Sequence, residues 1–224
     1  MISDALAGKP GLWAAGLLAL CAAHATGAEI RANLHDAHGR PVEDAVVLAM
    51  PRNRQLLEGV RPPGRIVIEQ IDKEFVPYVK PVHVGSQVHF PNRDTVLHHV
   101  YSFSPAKRFE LPLYSGIEAA PIRFDQPGPV VIGCNIHDWM IGHVYIADTP
   151  FFAKTGTDGK AVIENLPTGD YVVRVWHPQM IVAEAATEQP VAVGARPASV
   201  EWRLDLKPPF RIPRQGKKSG GGYR

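Results

Sequence analysis

The sequence predicts an all-β protein built as sandwiches of antiparallel sheets, and three observations carry that prediction. Among 224 residues there are 20 glycines and 21 prolines, a density of backbone punctuation that leaves little room for long helices. Between the breaks lie short runs rich in β-branched and aromatic residues, which suit a pleated, half-buried surface. Helical patterning is lacking, apart from a turn or two around Arg52 to Gly59. Apolar residues at 45% and charged residues at 21% describe an ordinary globular chain. Its length suffices for one large domain or two small ones. A net charge of +2 argues against nucleic acid as the main partner.

At the N-terminus, Gly11 to Ala23 form a short apolar run preceded by Lys9 and followed by small residues at Ala25 and Ala28. It is too short to span a bilayer comfortably and has the layout of a secretory signal, residues 1–28, cleaved after Ala28 or Ala25. An uncleaved anchor is the alternative, and a lipid anchor on Cys21 is disfavoured by the bulky Leu20 before it. The implied location is the periplasm, with no stable membrane span once the signal is removed. Cleavage removes Cys21 and leaves one cysteine, Cys134. In an oxidising compartment a lone thiol needs burial, a partner chain or a metal.

Two distant segments share a construction. One contains His38-Gly39-Arg40-Pro41 followed by Val42 to Val47; the other contains Thr157-Asp158-Gly159, Ala161-Val162-Ile163 and then Pro167-Thr168-Gly169 before Tyr171. Each is a glycine-bearing turn that leads into an alternating strand. Between them, strands are expected at Ile66 to Ile71, Gln87 to Phe90, Val130 to Ile132 and His143 to Ile146, with another at Tyr171 to Trp176. The stretch from Arg108 and Glu110 through Leu111 to Gly116 reads as a connection between the halves of a sandwich. From Arg203 to Arg224 seven Lys and Arg face one acid, Asp205. The tail 207–224 within it is Pro- and Gly-rich, is expected to be disordered, and suits an acidic partner, an anionic membrane surface or simply solvent.

The chemistry concentrates in Cys134-Asn135-Ile136-His137-Asp138-Trp139-Met140. A strand ending at Cys134 and another starting near Met140 would bring a thiol, an imidazole and a thioether toward one point. Soft sulfur donors with a borderline imidazole select copper over Mg, Ca or Mn. A fourth donor is available from His98 or His99, after the polar turn Pro91 to Thr95. Two histidines, a thiolate and a weak axial Met make up a blue-copper electron-transfer site. The remaining histidines form no second set with ligand spacing. His83 and His89 read as satisfied structural or surface residues.

These residues resemble a cupredoxin of the plastocyanin and amicyanin type: Phe90-Pro91-Asn92, His98-His99-Val100, Phe124-Asp125-Gln126-Pro127-Gly128, then Cys134, His137, Met140 and Gly142-His143-Val144. The resemblance spans residues 65–148 and implies a Greek-key β-sandwich. The flanking pieces, 29–64 and 149–206, resemble two parts of a transthyretin-like, or carboxypeptidase-regulatory-like, β-sandwich into which the first is inserted. Exported proteins of this build resemble those labelled methylamine utilisation proteins. The resemblance implies one copper ion held by His98, Cys134, His137 and Met140. His99 stands where the family has Asn, and Asp138 where amicyanin-like loops carry Pro. Asp138 is expected to favour a protonated His137. An apolar patch of Ile136, Trp139, Ile141 and Leu97 around His137 is expected to dock a redox partner such as a cytochrome c or a dehydrogenase. The implied function is one-electron transport, with no enzymatic activity. The alternatives are a copper carrier or storage protein, and an envelope module stabilised by copper.

Overall fold

The computed structural model describes residues 28–61, 64–116 and 120–208. The expected signal before Ala28, and the tail beyond Pro208, lie outside the described residues. The chain opens with β1 (Ala28–Asp36), β2 (Val46–Pro51) and a 3-10 turn at Arg54–Leu57. There follow β3 (Ile66–Val67), β4 (Glu69–Ile71), β5 (Glu74–Val76), β6 (Val79–His83), β7 (Ser86–His89), β8 (His98–Ser104), β9 (Lys107–Tyr114), β10 (Ile122–Phe124), β11 (Gly128–Gly133) and β12 (Ile141–Ala147). The last strands are β13 (Phe152–Lys154), β14 (Lys160–Leu166), β15 (Gly169–Trp176), β16 (Gln189–Val193) and β17 (Ala198–Leu204). The chain is thus all-β, as its punctuation predicts.

Strand pairing gathers these elements into two lobes. In the outer lobe a sheet ordered β14-β1-β17 faces one ordered β13-β2-β15-β16. Every second residue of β1 points inward, so Ile30, Ala32 and Leu34 meet Val47, Ala49, Val173 and Val175 in one apolar core. That alternation is what a sheet with one solvated face requires. Gly159 makes the turn into β14 at φ +72°, and a Cβ there would lie 2.5 Å from the Leu34 carbonyl oxygen. Only glycine fits both the left-handed backbone and the close approach.

In the second lobe a sheet ordered β6-β12-β11-β8-β9 covers one ordered β10-β7-β3, with the β4–β5 hairpin beside them. Val88, Phe90, Val100, Phe124, Ile132 and Ile146 fill its core. Both edge strands of the five-stranded sheet contain a proline, Pro81 in β6 and Pro112 in β9. A proline removes a ladder donor, so it is tolerated at an edge and blunts pairing with other chains.

The junction explains why β2 is buried along its whole length and β12 along most of it. Alternate residues of β2 serve two cores: Val47 and Ala49 face the outer lobe's interior, whereas Val46 and Leu48 pack on Val79, Tyr145 and Ala147. On the other side, Val144 and Ile146 of β12 face their own core while Tyr145 and Ala147 face β2. The apolar contact is pinned by a polar cluster in which Arg174 bonds Asp148 and Glu184, and the Tyr145 hydroxyl donates to Glu184. Burial and Glu184 push the Tyr145 pKa up, so the hydroxyl stays protonated and donates.

Four details differ from the sequence reading. The Arg108 to Gly116 stretch is mostly strand β9, paired with β8 in a hairpin, because its polar residues alternate on an edge. The run from Ile66 to Ile71 breaks at Ile68 into β3, parallel to β7, and β4, antiparallel to β5. A second 3-10 turn occupies Glu184–Thr187, too short to leave a periodic signal. The sheets are also not purely antiparallel: β1 runs parallel to β17, and β12 to β6. These strands are distant in sequence, so long crossovers separate them and no hairpin forces them antiparallel.

Candidate metal centre

The loop between β11 and β12 is closed by its own backbone. The Met140 N–H donates to the His137 carbonyl at 2.8 Å and the Cys134 N–H to the Met140 carbonyl at 3.2 Å. This tight turn buries Cys134 and Met140 and leaves His137 half-buried. From the neighbouring strand, His98 enters where the β8–β9 register shifts, between His98 and Val100. Such a bulge re-aims side chains. His98 is completely buried.

The side chains of His98, Cys134 and His137 converge, with one donor atom from each lying within 4.8 Å of the others. The Nδ1 atoms of His98 and His137 are 3.2 Å apart, and the His137 Nδ1 is 3.7 Å from the Cys134 Sγ. Metal bonds of about 2.0–2.1 Å to nitrogen and about 2.3 Å to sulfur, at angles of roughly 100–120°, set two nitrogens about 3.1–3.6 Å apart. The same bonds set nitrogen and sulfur about 3.3–3.8 Å apart. Both observed separations fall within these ranges, so the residues present fit a single ion held by two imidazoles and a thiolate.

His99 points away from this cluster. Its Nε2 lies 2.8 Å from the Glu110 carboxylate, and its ring packs on Tyr101. Its backbone serves the site nonetheless: the His99 N–H points at the Cys134 Sγ from 3.5 Å. A donor on sulfur withdraws electron density from a thiolate and tunes any metal bound to it. His83, expected to be satisfied, is buried with an Nδ1 that has no hydrogen-bond partner among the described residues.

Sequence reasoning missed Asp94. Its Oδ2 lies 2.7 Å from the His98 Nε2, while its two oxygens accept the N–H groups of Asp72 and Lys73 at 2.7 and 2.8 Å. Asp72 and Lys73 form the tip of the β4–β5 hairpin at φ 54° and 61°, a left-handed backbone that costs L-residues about 1 kcal/mol or more each. Asp94 belongs to the polar turn Pro91 to Thr95. The available signal was an acid four residues before His98, together with a two-residue turn between Ile71 and Glu74.

Electrostatics follow from this arrangement. Burial pushes the Asp94 pKa up, but the bonds from His98, Lys73 and Asp72 outweigh it and hold the carboxyl below its usual range. The His137 pKa is pushed down, first by burial and then by His98 and Lys73, with Asp94 opposing. The expectation that Asp138 favours a protonated His137 is therefore corrected. Asp138 is exposed, where solvent screens its charge, and the carboxylate that acts on His137 is Asp94. A neutral His137 offers a lone pair. Ile136, next to His137 in sequence, and Leu97, next to His98, are each 47% exposed, and the half-buried Trp139 ring packs on the imidazole at 5.5 Å between centroids.

No family model and no curated protein matches the chain. Similar solved structures include a copper-containing nitrite reductase from Thermus scotoductus SA-01, 24% identical over 40% of this chain and 23% of that one, with a TM-score of 0.36. A purple cupredoxin from Nitrosopumilus maritimus is 23% identical over 38% of this chain and 100% of its own, with a TM-score of 0.33. A reduced variant of amicyanin is 21% identical over 47% of this chain and 100% of its own, with a TM-score of 0.35. These are partial and distant likenesses, so the case for a metal stands on the donor atoms of this chain.

Proposed function

We propose that this protein would bind one copper ion through His98, Cys134 and His137, with Met140 as a weaker fourth donor, and work outside the cytoplasm as a carrier of single electrons. The observation that carries the reading is that two donor pairs, His98 Nδ1 with His137 Nδ1 and His137 Nδ1 with Cys134 Sγ, stand apart by the chords of a single metal ion. Copper held there supplies a one-electron couple between Cu(II) and Cu(I). The chain's own part is to keep the donors fixed. His98 is locked by burial and Asp94, Cys134 by the closed loop and the His99 N–H, and His137 by the ring of Trp139. A frame that does not relax suits both oxidation states and keeps reorganisation small. His137 is the donor nearest solvent, and the Leu97, Ile136 and Trp139 patch around it fits a redox protein, such as a cytochrome c or a dehydrogenase, approaching by apolar contact. With two imidazoles, a thiolate and a thioether supplied by protein, no position is kept open for a substrate, which favours a carrier over an enzyme.

The test is the spectrum. The protein with Cu(II) should show an intense blue thiolate charge-transfer band and reversible one-electron reduction, and Cys134→Ser should abolish the band. A colourless protein that exchanges Cu(I) readily would replace electron transport with copper delivery.

A further inference from the structure

We propose that Asp94, gripped by the tip of the β4–β5 hairpin, is a positioning residue that fixes the ring and proton of His98 and thereby sets how readily the metal site accepts an electron. The proposal rests on the copper reading above. Both nitrogens of the buried His98 ring are committed, Nδ1 toward His137 and Cys134, and Nε2 to the Asp94 carboxylate. An ionised carboxylate only accepts hydrogen bonds, so Nε2 carries the proton and Nδ1 presents its lone pair to the cluster.

The carboxylate is not free to turn. Two consecutive N–H groups, from Asp72 and Lys73, hold its two oxygens, and they converge because both residues adopt positive φ. Two-residue hairpins of this kind usually carry Asn-Gly or Asp-Gly. Here Lys73 takes the glycine's place, and the conformation is retained by what it grips. The hairpin's base is tied to the same loop. Gln70 is fully buried, donates from its backbone to Pro91 and from its side chain to Phe90, and accepts from the Arg93 N–H. Asn92 donates to Val96 and Tyr114 and accepts from the Asp94 N–H, fixing the loop from its other side. Hairpin, loop and His98 therefore form one hydrogen-bonded unit ending at the donor cluster.

A negative charge on the remote N–H makes the imidazole a stronger donor. A stronger donor favours Cu(II) over Cu(I), so Asp94 holds the reduction potential down. The test compares the full chain with Asp94→Asn, of similar shape but uncharged, and Lys73→Gly, which keeps the turn and its N–H. Asp94→Asn should weaken Cu(II) binding by about 10- to 100-fold, weaken Cu(I) binding less, and raise the potential. Lys73→Gly should keep the His98 proton on Nε2. In the metal-free protein, ¹⁵N NMR should show His98 as a single Nε2–H tautomer that becomes mixed in Asp94→Asn. Blue copper with unchanged affinity and potential in Asp94→Asn would overturn the proposal while leaving the copper reading intact. Absence of the blue band from the wild-type protein would overturn the copper reading instead. Should Asp94→Asn not fold, the wild-type spectrum decides, and a His98 Nδ1–H tautomer overturns the proposal.

Discussion

In the outer lobe, the buried hydroxyls of Thr149, Thr155 and Thr187 all bond backbone: Thr149 to Ala49, Thr155 to Val42 and Ala45, and Thr187 to Val175. In the second lobe, the buried rings of His98 and His99 instead bond side chains, the carboxylates of Asp94 and Glu110. The contrast teaches which substitutions to fear. Polar groups that complete backbone bonding hold a fold, and changing them alters stability. Polar groups aimed at other side chains hold a geometry, and changing them alters chemistry even where the fold survives.

The largest expected effect breaks the outer lobe alone. Tyr171 on β15 is fully buried, with its hydroxyl donating to the Pro167 carbonyl at 2.7 Å. Tyr171→Ala should cost about 3–5 kcal/mol in urea unfolding, the range for truncating a large aromatic in a core. The blue band of the copper-loaded protein that remains folded should stay in place. A displaced band would mean that the lobes are not separable in this sense.

A smaller change in the second lobe should do the opposite. A Cβ on Gly142 of β12 would meet the Phe75 Cβ at 2.9 Å and the Ile132 Cγ1 at 3.2 Å. Overpacking of that kind costs about 1–3 kcal/mol. Phe75 pairs with Gln70 across the β4–β5 hairpin, so the displacement passes to the unit that holds Asp94. Gly142→Ala should therefore lose less stability than Tyr171→Ala, yet shift the reduction potential. An unmoved potential would show that the hairpin absorbs the strain before it reaches Asp94.

Legibility in the sequence divides along the same line. The fold class was readable because turns and alternation are local: Asp158-Gly159 and the run from Tyr171 to Trp176 mark their own structure. The donors on one loop, Cys134 and His137, were readable by spacing, whereas the pairing with His98 came through a family resemblance. What could not be read depends on contacts between distant segments. Asp94 owes its grip to the turn at Asp72 and Lys73, about twenty residues away in sequence, which closes on it. The short β3 and β4 are likewise defined by partners, β7 and β5, and not by their own composition. Nor does the composition of β2 or β12 show that each serves two cores.

The smallest effect tests the junction between the lobes. His143 of β12 lies there, its Nε2 3.1 Å from the Tyr78 hydroxyl and its ring near Trp176. Burial pushes its pKa down to about 4, aided by His177 and opposed by Asp44. His177 is itself pushed down by burial, against Asp44 and a bond with Glu43. In the unfolded chain a histidine binds its proton near pH 6.5, so below that value the unfolded state takes up protons that folded His143 refuses. The stabilisation is complete above about pH 6.5 and is lost as pH falls toward 4, at about 1.4 kcal/mol per pH unit for one such group. Metal-free protein should thus be about 2 kcal/mol less stable at pH 5 than at pH 7.5 on account of His143. His143→Gln, which has no proton to refuse, should remove that share of the acid sensitivity in urea unfolding at the two pH values. An equal acid loss in the variant would assign the sensitivity to His177 and to groups away from the junction.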